Sequence, residues 1–291
     1  MIQPNKLPGH MLIKDRIKDA AGILTPSERK LAAAILSDYP YAGLVSIQDL
    51  AKHAEVSPPS ISRFVTKIGL AGYQEFQRDL IAELKEGQRS PVDLHMENRP
   101  IEGGFLSDFI QRTTRQMAVS SAAITEDQFA RICTLLATPK SEVHVIGGRV
   151  SDSIAFLLSF HLRQMRQGVY HLPANNEAWP EYLLRMKQGD LLFVVDFRRY
   201  QPNLLGLCQT AHDKGAKIIL MTDKWLSPIA KYAAEVLPVP IESGTLWDTY
   251  APALAVIEAL VTKIAEDNFD QTRARIKAWD ALRLTDQDVP S

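Results

Sequence analysis

Hydrophobic positions in the first third of the chain recur with a helical period. In the stretch from residue 46 to 54 they are Ile47, Leu50, Ala51 and Ala54, and after a short break they resume at Ile61, Phe64, Val65 and Ile68. This spacing is that of a buried helix face. Ser46 and Ser57 stand where helix N-caps are expected, and Pro58 occupies a first helical position, where its missing N–H costs nothing. The pattern predicts two short helices joined by a tight turn, as in a helix-turn-helix.

Further helices are predicted around this hairpin. Apolar residues from Met11 begin a helix that ends at Gly22, and the run TPSE at 25–28 starts the next one with a capping box. A last helix runs from Tyr73 to Leu84. We therefore predict an all-α domain over residues 1–86, with a loose arm of about ten residues at its start.

The pattern changes after residue 86. Residues 87–104 contain prolines, glycines and charges without a sustained apolar period, which predicts a linker. Two more helices are predicted over 105–123 and 127–137. Beyond them, short apolar strands are predicted at 142–146, 168–172, 190–195, 217–221 and 235–239, and helices at 151–167, 177–187, 202–214, 228–233, 247–267 and 269–284.

Strands that alternate with helices of this length are typical of βαβ units. The sequence therefore predicts an α/β domain over residues 105–285, built on a five-stranded parallel sheet flanked by helices. The last few residues are predicted to fray.

The outward side of the second hairpin helix carries hydroxyl groups and positive charges. No Asp or Glu lies between Glu55 and Glu75, which suits an approach to phosphates. Arg63 can fork onto a guanine edge, and Lys67 can reach a phosphate. The predicted DNA-binding residues are Ser46, Gln48, Ser57, Pro59, Ser60, Ser62, Arg63, Lys67 and Tyr73. The alternative is an ordinary helical hairpin whose hydroxyls face water.

Three blocks in this region form a family signature: LTPSERK at 24–30, SPPSISRF at 57–64 and GLAGYQEF at 69–76. In residues and spacing they resemble the RpiR-type bacterial transcriptional regulators. The resemblance implies an N-terminal helix-turn-helix that binds double-stranded operator DNA and a C-terminal sugar-isomerase-like (SIS) domain. It also implies a homodimer or tetramer held through the C-terminal domains.

Composition narrows the class of protein. The 291 residues allow about two domains, and a net charge of -1 excludes a wholly basic nucleic-acid binder. Cys133 and Cys208 lie in apolar helical patterns without further ligands at metal spacing, which predicts buried thiols and no metal or cofactor. No signal-peptide pattern or apolar run of about 18 residues occurs, so we expect a cytoplasmic protein without a membrane anchor.

Two loops at the carboxyl ends of predicted strands are candidates for a ligand site. In the first, Gly147, Gly148, Arg149 and Ser151 connect a strand to a helix, where backbone N–H groups can cradle an anion. Resemblance to SIS domains implies Gly-x-Gly-x-Ser here, and Arg149 replaces the second glycine. The loop is either an anion cradle or only a tight strand-to-helix connection.

The second loop has the sequence DFRRYQ at 196–201. SIS domains that bind sugar phosphates resemble Ser-x-Ser-Gly-x-Thr at this place, and none of those hydroxyl residues remains. The two arginines can bind a phosphate or a carboxylate, whereas Asp196 can neutralise them internally. An altered anion site, a structural ion-pair cluster and a domain that only dimerises all stay open. The predicted ligand residues here are Asp196, Arg198, Arg199, Tyr200 and Gln201, with Ser227 from the loop after the fourth strand.

The rival class is an aldose–ketose isomerase, which needs a general base. The available side chains are Glu177, Glu181, Glu242, His161 and His171, and none lies in a motif that assigns it this role. We therefore predict a non-enzyme: a transcriptional regulator whose operator affinity is controlled by a small phosphorylated or acidic sugar. A ligand-free architectural DNA binder is the third alternative.

Overall fold

A computed structural model describes residues 11–93 and 104–284, and the chain divides into two compact units, residues 1–88 and 89–291. The predicted N-terminal arm, most of the predicted linker and the C-terminal residues predicted to fray lie outside the described residues. Within the described ranges, no helix is long and apolar enough to cross a membrane.

The described part of the first unit is helical. Its α-helices are α1 Ile13–Asp19, α2 Pro26–Ser37, α3 Ile47–His53, α4 Pro58–Lys67 and α5 Tyr73–Gly87. Each contributes a fully buried side chain to the core: Ile13, Leu31, Leu50, Phe64 and Phe76. Helix α4 packs against α2, α3 and α5. The predicted helix-turn-helix therefore has its second helix anchored on one side by the rest of the unit.

The turn between α3 and α4 is closed by backbone hydrogen bonds. Glu55 adopts a left-handed conformation with φ 53°, and the amide of Val56 donates to the carbonyl of Ala51 at 2.9 Å. Gly69 takes the same conformation after α4, with φ 86°. This arrangement satisfies the last carbonyls of a helix and redirects the chain sharply. It explains how so short a connection joins the two hairpin helices.

The second unit alternates strands and helices. Its elements are α6 Phe105–Ala123, α7 Glu126–Ala137, β1 Val143–Gly147, α8 Asp152–Met165, β2 Val169–His171, α9 Trp179–Arg185, β3 Leu191–Asp196, α10 Pro202–Asp213, β4 Lys217–Thr222, β5 Ala233–Pro238, α11 Ala251–Asp267 and α12 Phe269–Leu284. Short 3-10 turns occupy Asn176–Ala178 and Pro228–Tyr232.

The five strands form one parallel sheet in the order β2-β1-β3-β4-β5. One face packs against α7, α8 and α11, and the other against α9 and α10. The prediction of an all-α domain followed by a five-stranded parallel α/β domain is confirmed. Strand order reverses between β1 and β3, the place where open parallel sheets bind ligands.

One helix boundary differs from the prediction in a way that matters for the site. Helix α11 begins at Ala251 rather than at residue 247, because Pro252 lies in its first turn, where proline favours a helix start. Residues 247–250 therefore precede the helix as an irregular segment.

Core packing on α8 generates a stability prediction. Leu158 is fully buried in the sheet core, whereas Leu184 on α9 is 81% exposed. We expect Leu158→Ala to lower the free energy of unfolding by about 2–5 kcal/mol through lost burial and a residual cavity. Leu184→Ala, the matched control, should change it little. Urea unfolding followed by tryptophan fluorescence measures this unit, since all four tryptophans lie in it. Equal midpoints for the two variants would contradict the packing described.

Candidate functional site

The exposed side of α4 carries a short chain of polar contacts. The Ser57 and Ser60 hydroxyl oxygens lie 2.9 Å apart, and Nη2 of Arg63 donates to the Ser60 hydroxyl at 3.1 Å. Ser57 has the extended backbone of an N-cap, but among the described residues its side chain accepts no helix N–H. Ser57 is therefore the predicted N-cap residue by position, and its hydroxyl contacts Ser60 instead of capping the helix. Arg63 is held along the helix toward its N-terminus.

The other predicted DNA-binding residues divide into exposed and structurally engaged groups. Gln48, Pro59 and Ser62 are exposed. Ser46 caps α3 by accepting the amide of Asp49 at 3.1 Å, and the Tyr73 hydroxyl donates to the carbonyl of Val45 at 3.0 Å. The DNA contacts of these residues stay predictions.

Lys67 has a partner that the sequence pattern did not reveal. Its ammonium group lies 2.6 Å from the buried carboxylate of Glu28, the third helical residue of the α2 capping box. Burial opposes ionisation of Glu28, but hydrogen bonds from Lys67 and Thr25 outweigh it and hold the pKa below its usual value. Lys67 therefore joins α4 to α2, and a phosphate contact by it remains a prediction.

In the second unit, a cavity of about 490 Å³ opens at the carboxyl ends of β1 and β3. Both predicted ligand loops line it, through Arg149, Ser151, Asp196, Arg198, Arg199 and Gln201. The two loops are neighbours because β1 pairs directly with β3, with Gly147 opposite Val195. The tertiary structure thus brings together residues about 50 positions apart in sequence.

The first loop is pinned closely to β3 and α8. The amide of Gly147 donates to the Asp152 carboxylate at 2.9 Å, while the Gly148 amide and the Ser151 hydroxyl both donate to the carbonyl of Val195, at 2.9 and 2.8 Å. A Cβ at residue 147 would lie 2.6 Å from the Asp152 backbone. Only glycine fits this close approach.

The second loop is organised by Asp223, a residue that the sequence analysis did not select. This fully buried carboxylate accepts hydrogen bonds from the Arg198 amide at 2.6 Å, the Tyr200 hydroxyl at 2.7 Å and the Trp225 amide at 3.0 Å. Burial raises the pKa of Asp223 to about 6. Tyr200 is therefore held by Asp223 and, among the described residues, does not line the cavity.

Asp196 lies at the floor of the cavity, with only 2% of its surface exposed. Its carboxylate accepts the hydroxyl of the fully buried Ser227 at 2.5 Å and the backbone N–H of Gln201. Burial raises the pKa of Asp196 to about 7. Ser227 thus supports Asp196 from behind instead of facing a ligand.

Arg198 is the exceptional side chain of the site. Its side chain is 4% exposed, its guanidinium lies 4.3 Å over the Trp225 ring, and its Nε is 3.3 Å from the carboxylate of Asp248. That contact is too oblique for a hydrogen bond, and in the described part of the chain none of the three guanidinium nitrogens has a hydrogen-bond partner. Buried donors of this kind are costly and normally paired. Arg198 therefore has an ionic partner in Asp248, but its hydrogen-bond donors are unused among the described residues.

The irregular segment before α11 completes the cavity. Trp247, Asp248 and Tyr250 line it, and Tyr250 stacks on Phe197 with ring centres 5.6 Å apart. The sequence analysis placed these residues in a helix and therefore did not select them as site residues, although Pro252 marked the true helix start. No motif distinguished them.

A possible metal cluster lies at the amino ends of β1 and β3, at the opposite ends of these strands from the cavity. Ligand atoms of Glu142, His144 and Asp190 lie within 4.8 Å of one another. However, Arg185 forks onto Glu142 with two contacts of 2.8 Å, and Asp190 accepts the backbone amides of Glu142 and Lys187. Both carboxylates are therefore already satisfied by protein donors.

The side chains considered as general bases lie elsewhere. As far as the structure describes the chain, the cavity lining contains none of Glu177, Glu181, Glu242, His161 and His171. His171 instead contacts Asp152 at 2.9 Å, and Glu242 pairs with Lys224. The cavity therefore lacks the bases on which the isomerase alternative depended.

Comparison with known families agrees with this architecture. The family model "Helix-turn-helix domain, rpiR family" matches residues 11–87, and the SIS domain model matches residues 135–263. The chain therefore carries a helix-turn-helix domain of the RpiR family followed by a SIS domain. The resemblance found in the three N-terminal blocks is confirmed.

The sequence matches to relatives extend over most of this chain and most of each relative. An uncharacterised HTH-type transcriptional regulator of Caldanaerobacter subterraneus is 26% identical, covering 87% of this chain and 90% of the relative. The HTH-type transcriptional regulator HexR of Pseudomonas aeruginosa is 24% identical, covering 86% and 88%. The structure of Vibrio vulnificus NanR complexed with ManNAc-6P shares the fold, with a TM-score of 0.53, 17% identity and coverage of 94% and 98%.

The close approach at Gly147 generates a prediction. We expect Gly147→Ala to lower the unfolding midpoint of the second unit clearly, because the added Cβ meets backbone atoms that cannot rotate away. Gly206 on α10 has nothing within 4 Å of an added Cβ, so Gly206→Ala should be neutral or stabilise by about 0.5–1 kcal/mol. Urea unfolding of both variants measures the difference. A Gly147→Ala protein as stable as Gly206→Ala would refute this account of the loop.

Proposed function

We propose that this RpiR-family protein is a DNA-binding transcriptional regulator, acting in the cytoplasm, whose affinity for DNA is controlled by a small anionic sugar derivative. The observation that carries the ligand part is Arg198: its buried guanidinium, without a hydrogen-bond partner among the described residues, borders a cavity at the reversal of strand order. Its stacking on Trp225 keeps the planar fork in one orientation, which suits bidentate recognition of an oxyanion.

The DNA part rests on α4. Its exposed face offers the Ser57, Ser60 and Arg63 chain and contains no acidic residue. A recognition helix reads base edges in the major groove through such side chains, while hydroxyls and cations contact phosphates. Among the predicted contacts, Arg63 is the strongest candidate for base readout, because its only described hydrogen bond is to a neutral hydroxyl.

Two segments that line the cavity are adjacent in sequence to helices: one follows α5 and the other precedes α11. Arg89 and Pro91, which follow α5 closely in sequence, line the cavity. On another side, Asp248 lies beside the Arg198 guanidinium, three residues before α11 begins. An anion that displaces Asp248 from Arg198 would shift the start of α11 and contact the segment that follows α5. Such differential contacts are what allosteric linkage requires.

We also propose that the protein acts as a homodimer or tetramer, presenting two recognition helices to one operator. Support comes from apolar side chains that the second unit leaves exposed on its first and last helices. They include Phe105, Leu106 and Ile110 on α6 and Phe269, Trp279 and Leu282 on α12. Exposed apolar residues grouped on a helix are typical of contact surfaces between proteins.

The isomerase alternative would now depend on Asp196, whose pKa of about 7 suits a general base. Its carboxylate, however, already accepts hydrogen bonds from Ser227 and Gln201, and it is almost completely buried. The regulator therefore accounts for more of the structure than the enzyme.

Base recognition by α4 is tested with the full-length protein, fluorescently labelled DNA from its own upstream intergenic region and a scrambled control. Arg63→Ala should lower affinity for the preferred DNA by about 1–3 kcal/mol and reduce the preference over scrambled DNA. Arg78→Ala on α5, an exposed arginine outside the hairpin, is the matched control and should leave the preference unchanged. Equal losses of Arg63→Ala on both DNAs would assign Arg63 to phosphate contact only.

Ligand control is tested by the same titration with and without sugar phosphates and sugar acids. Arg198→Gln should keep DNA affinity but lose roughly tenfold or more in effector affinity, because a charged hydrogen bond to the ligand is removed. Arg115→Gln, an exposed arginine on α6, should respond like the wild type. A normal effector response in Arg198→Gln would overturn the role assigned to Arg198.

A further inference from the structure

Loops at the carboxyl ends of parallel strands usually bind anions through backbone N–H groups. In this protein, carboxylates of the chain itself accept hydrogen bonds from such N–H groups. Asp152 accepts the amide of Gly147 at 2.9 Å, and Asp223 accepts the amide of Arg198 at 2.6 Å. Asp152 also lies in the first turn of α8, where a negative charge already complements the helix dipole.

Asp196 is a third carboxylate that accepts a hydrogen bond from a backbone amide, and it lies at the floor of the cavity. It accepts the hydroxyl of the buried Ser227 from behind, and it accepts the amide of Gln201, a donor at the cavity that would otherwise be available to a bound oxyanion. Its second oxygen remains close to Gly148, since a Cβ built on that glycine would lie 3.5 Å from Oδ1. An anion placed on this floor would therefore contact a carboxylate.

The fork of Arg198 is consequently the buried donor group best placed for a ligand anion. A phosphate monoester carries a charge of about -1.5 to -2 at neutral pH and needs donors around three oxygens, whereas a carboxylate carries one charge and matches a single guanidinium fork. Arg149 and Arg199 also line the cavity, but both are exposed, so water and salt screen them. The donor set fits a monoanion better than a dianion.

The cavity also offers acceptors to the remainder of a ligand. The carboxylates of Asp196 and Asp248 both line it, and each can accept a hydroxyl hydrogen. Trp247, which is 66% exposed, and Tyr250 add aromatic surface at the same place. A ligand with one carboxylate and several hydroxyls satisfies both halves of this arrangement.

We propose that the cavity selects a polyhydroxy monocarboxylate over a phosphate monoester, and that Asp196 is the residue that sets this choice. The carboxylate of the ligand binds the Arg198 fork, and ligand hydroxyls donate to Asp196 and Asp248. This assignment rests on the proposed function, because it concerns the effector of the same cavity.

Isothermal titration calorimetry of the full-length protein tests the choice with matched probes: threonate and gluconate against erythrose 4-phosphate and glucose 6-phosphate. The titrations are run at about pH 8, above the pKa of about 7 of Asp196, so that this carboxylate is ionised. The wild type should bind an aldonate at least about tenfold more tightly than the phosphate of equal carbon number. Asp196→Asn, which keeps the shape and one acceptor oxygen but removes the negative charge, should reduce that ratio by about tenfold or more by admitting the phosphate.

Asp213→Asn, the same change at an exposed position at the end of α10, is the matched control and should keep the wild-type ratio. Unfolding transitions of both variants establish that they fold. Stronger binding of the phosphates by the wild type, or a ratio unchanged in folded Asp196→Asn, would overturn the assignment while leaving anion control of DNA binding intact. Binding of neither class would instead overturn the proposed effector control, and the assignment with it.

Discussion

The reversal of strand order between β1 and β3 is the constraint on which the ligand cavity depends. Because the connections from these two strands leave in opposite directions, neither covers the carboxyl ends of the central pair. Direct pairing sets Gly147 opposite Val195, and the Val195 carbonyl then anchors the first loop through Gly148 and Ser151. The two loops are thus held side by side by strand pairing, and the Ser151 hydroxyl adds a side-chain anchor.

Buried acids then decide what this opening can do. Asp196 and Asp223 accept hydrogen bonds from the Gln201 and Arg198 amides of the second loop and so fix its backbone. The free-energy cost of burying unpaired donors falls on Arg198, whose guanidinium is buried beside Trp225 and Asp248 without hydrogen bonds to the described residues. The proposed ligand control rests on this combination of a fixed loop backbone and a guanidinium with unused hydrogen-bond donors, since an anion that bound those donors would stabilise the state that binds it.

The helix-turn-helix shows the same dependence of a charge on its surroundings. Lys67 meets the buried carboxylate of Glu28 and is bound into the packing of α4 on α2, while Arg63 meets only the Ser60 hydroxyl and remains exposed. Two cationic side chains on one helix therefore differ in whether they are paired within the protein. The first stabilises the unit, and the second is available to an external partner.

Local sequence determined the elements, because periodicity, caps and prolines act within a few residues of one another. The strands and most helices were predicted within one or two residues, and both ligand loops were recognised from their positions after strands. Only the tertiary structure decided the partners: Glu28 for Lys67, Asp223 for the Arg198 amide, and residues 247–250 for the cavity wall. These partners lie about 25 to 100 positions apart in the chain, and whether a charge is buried, paired or open depends on contacts that no local pattern encodes.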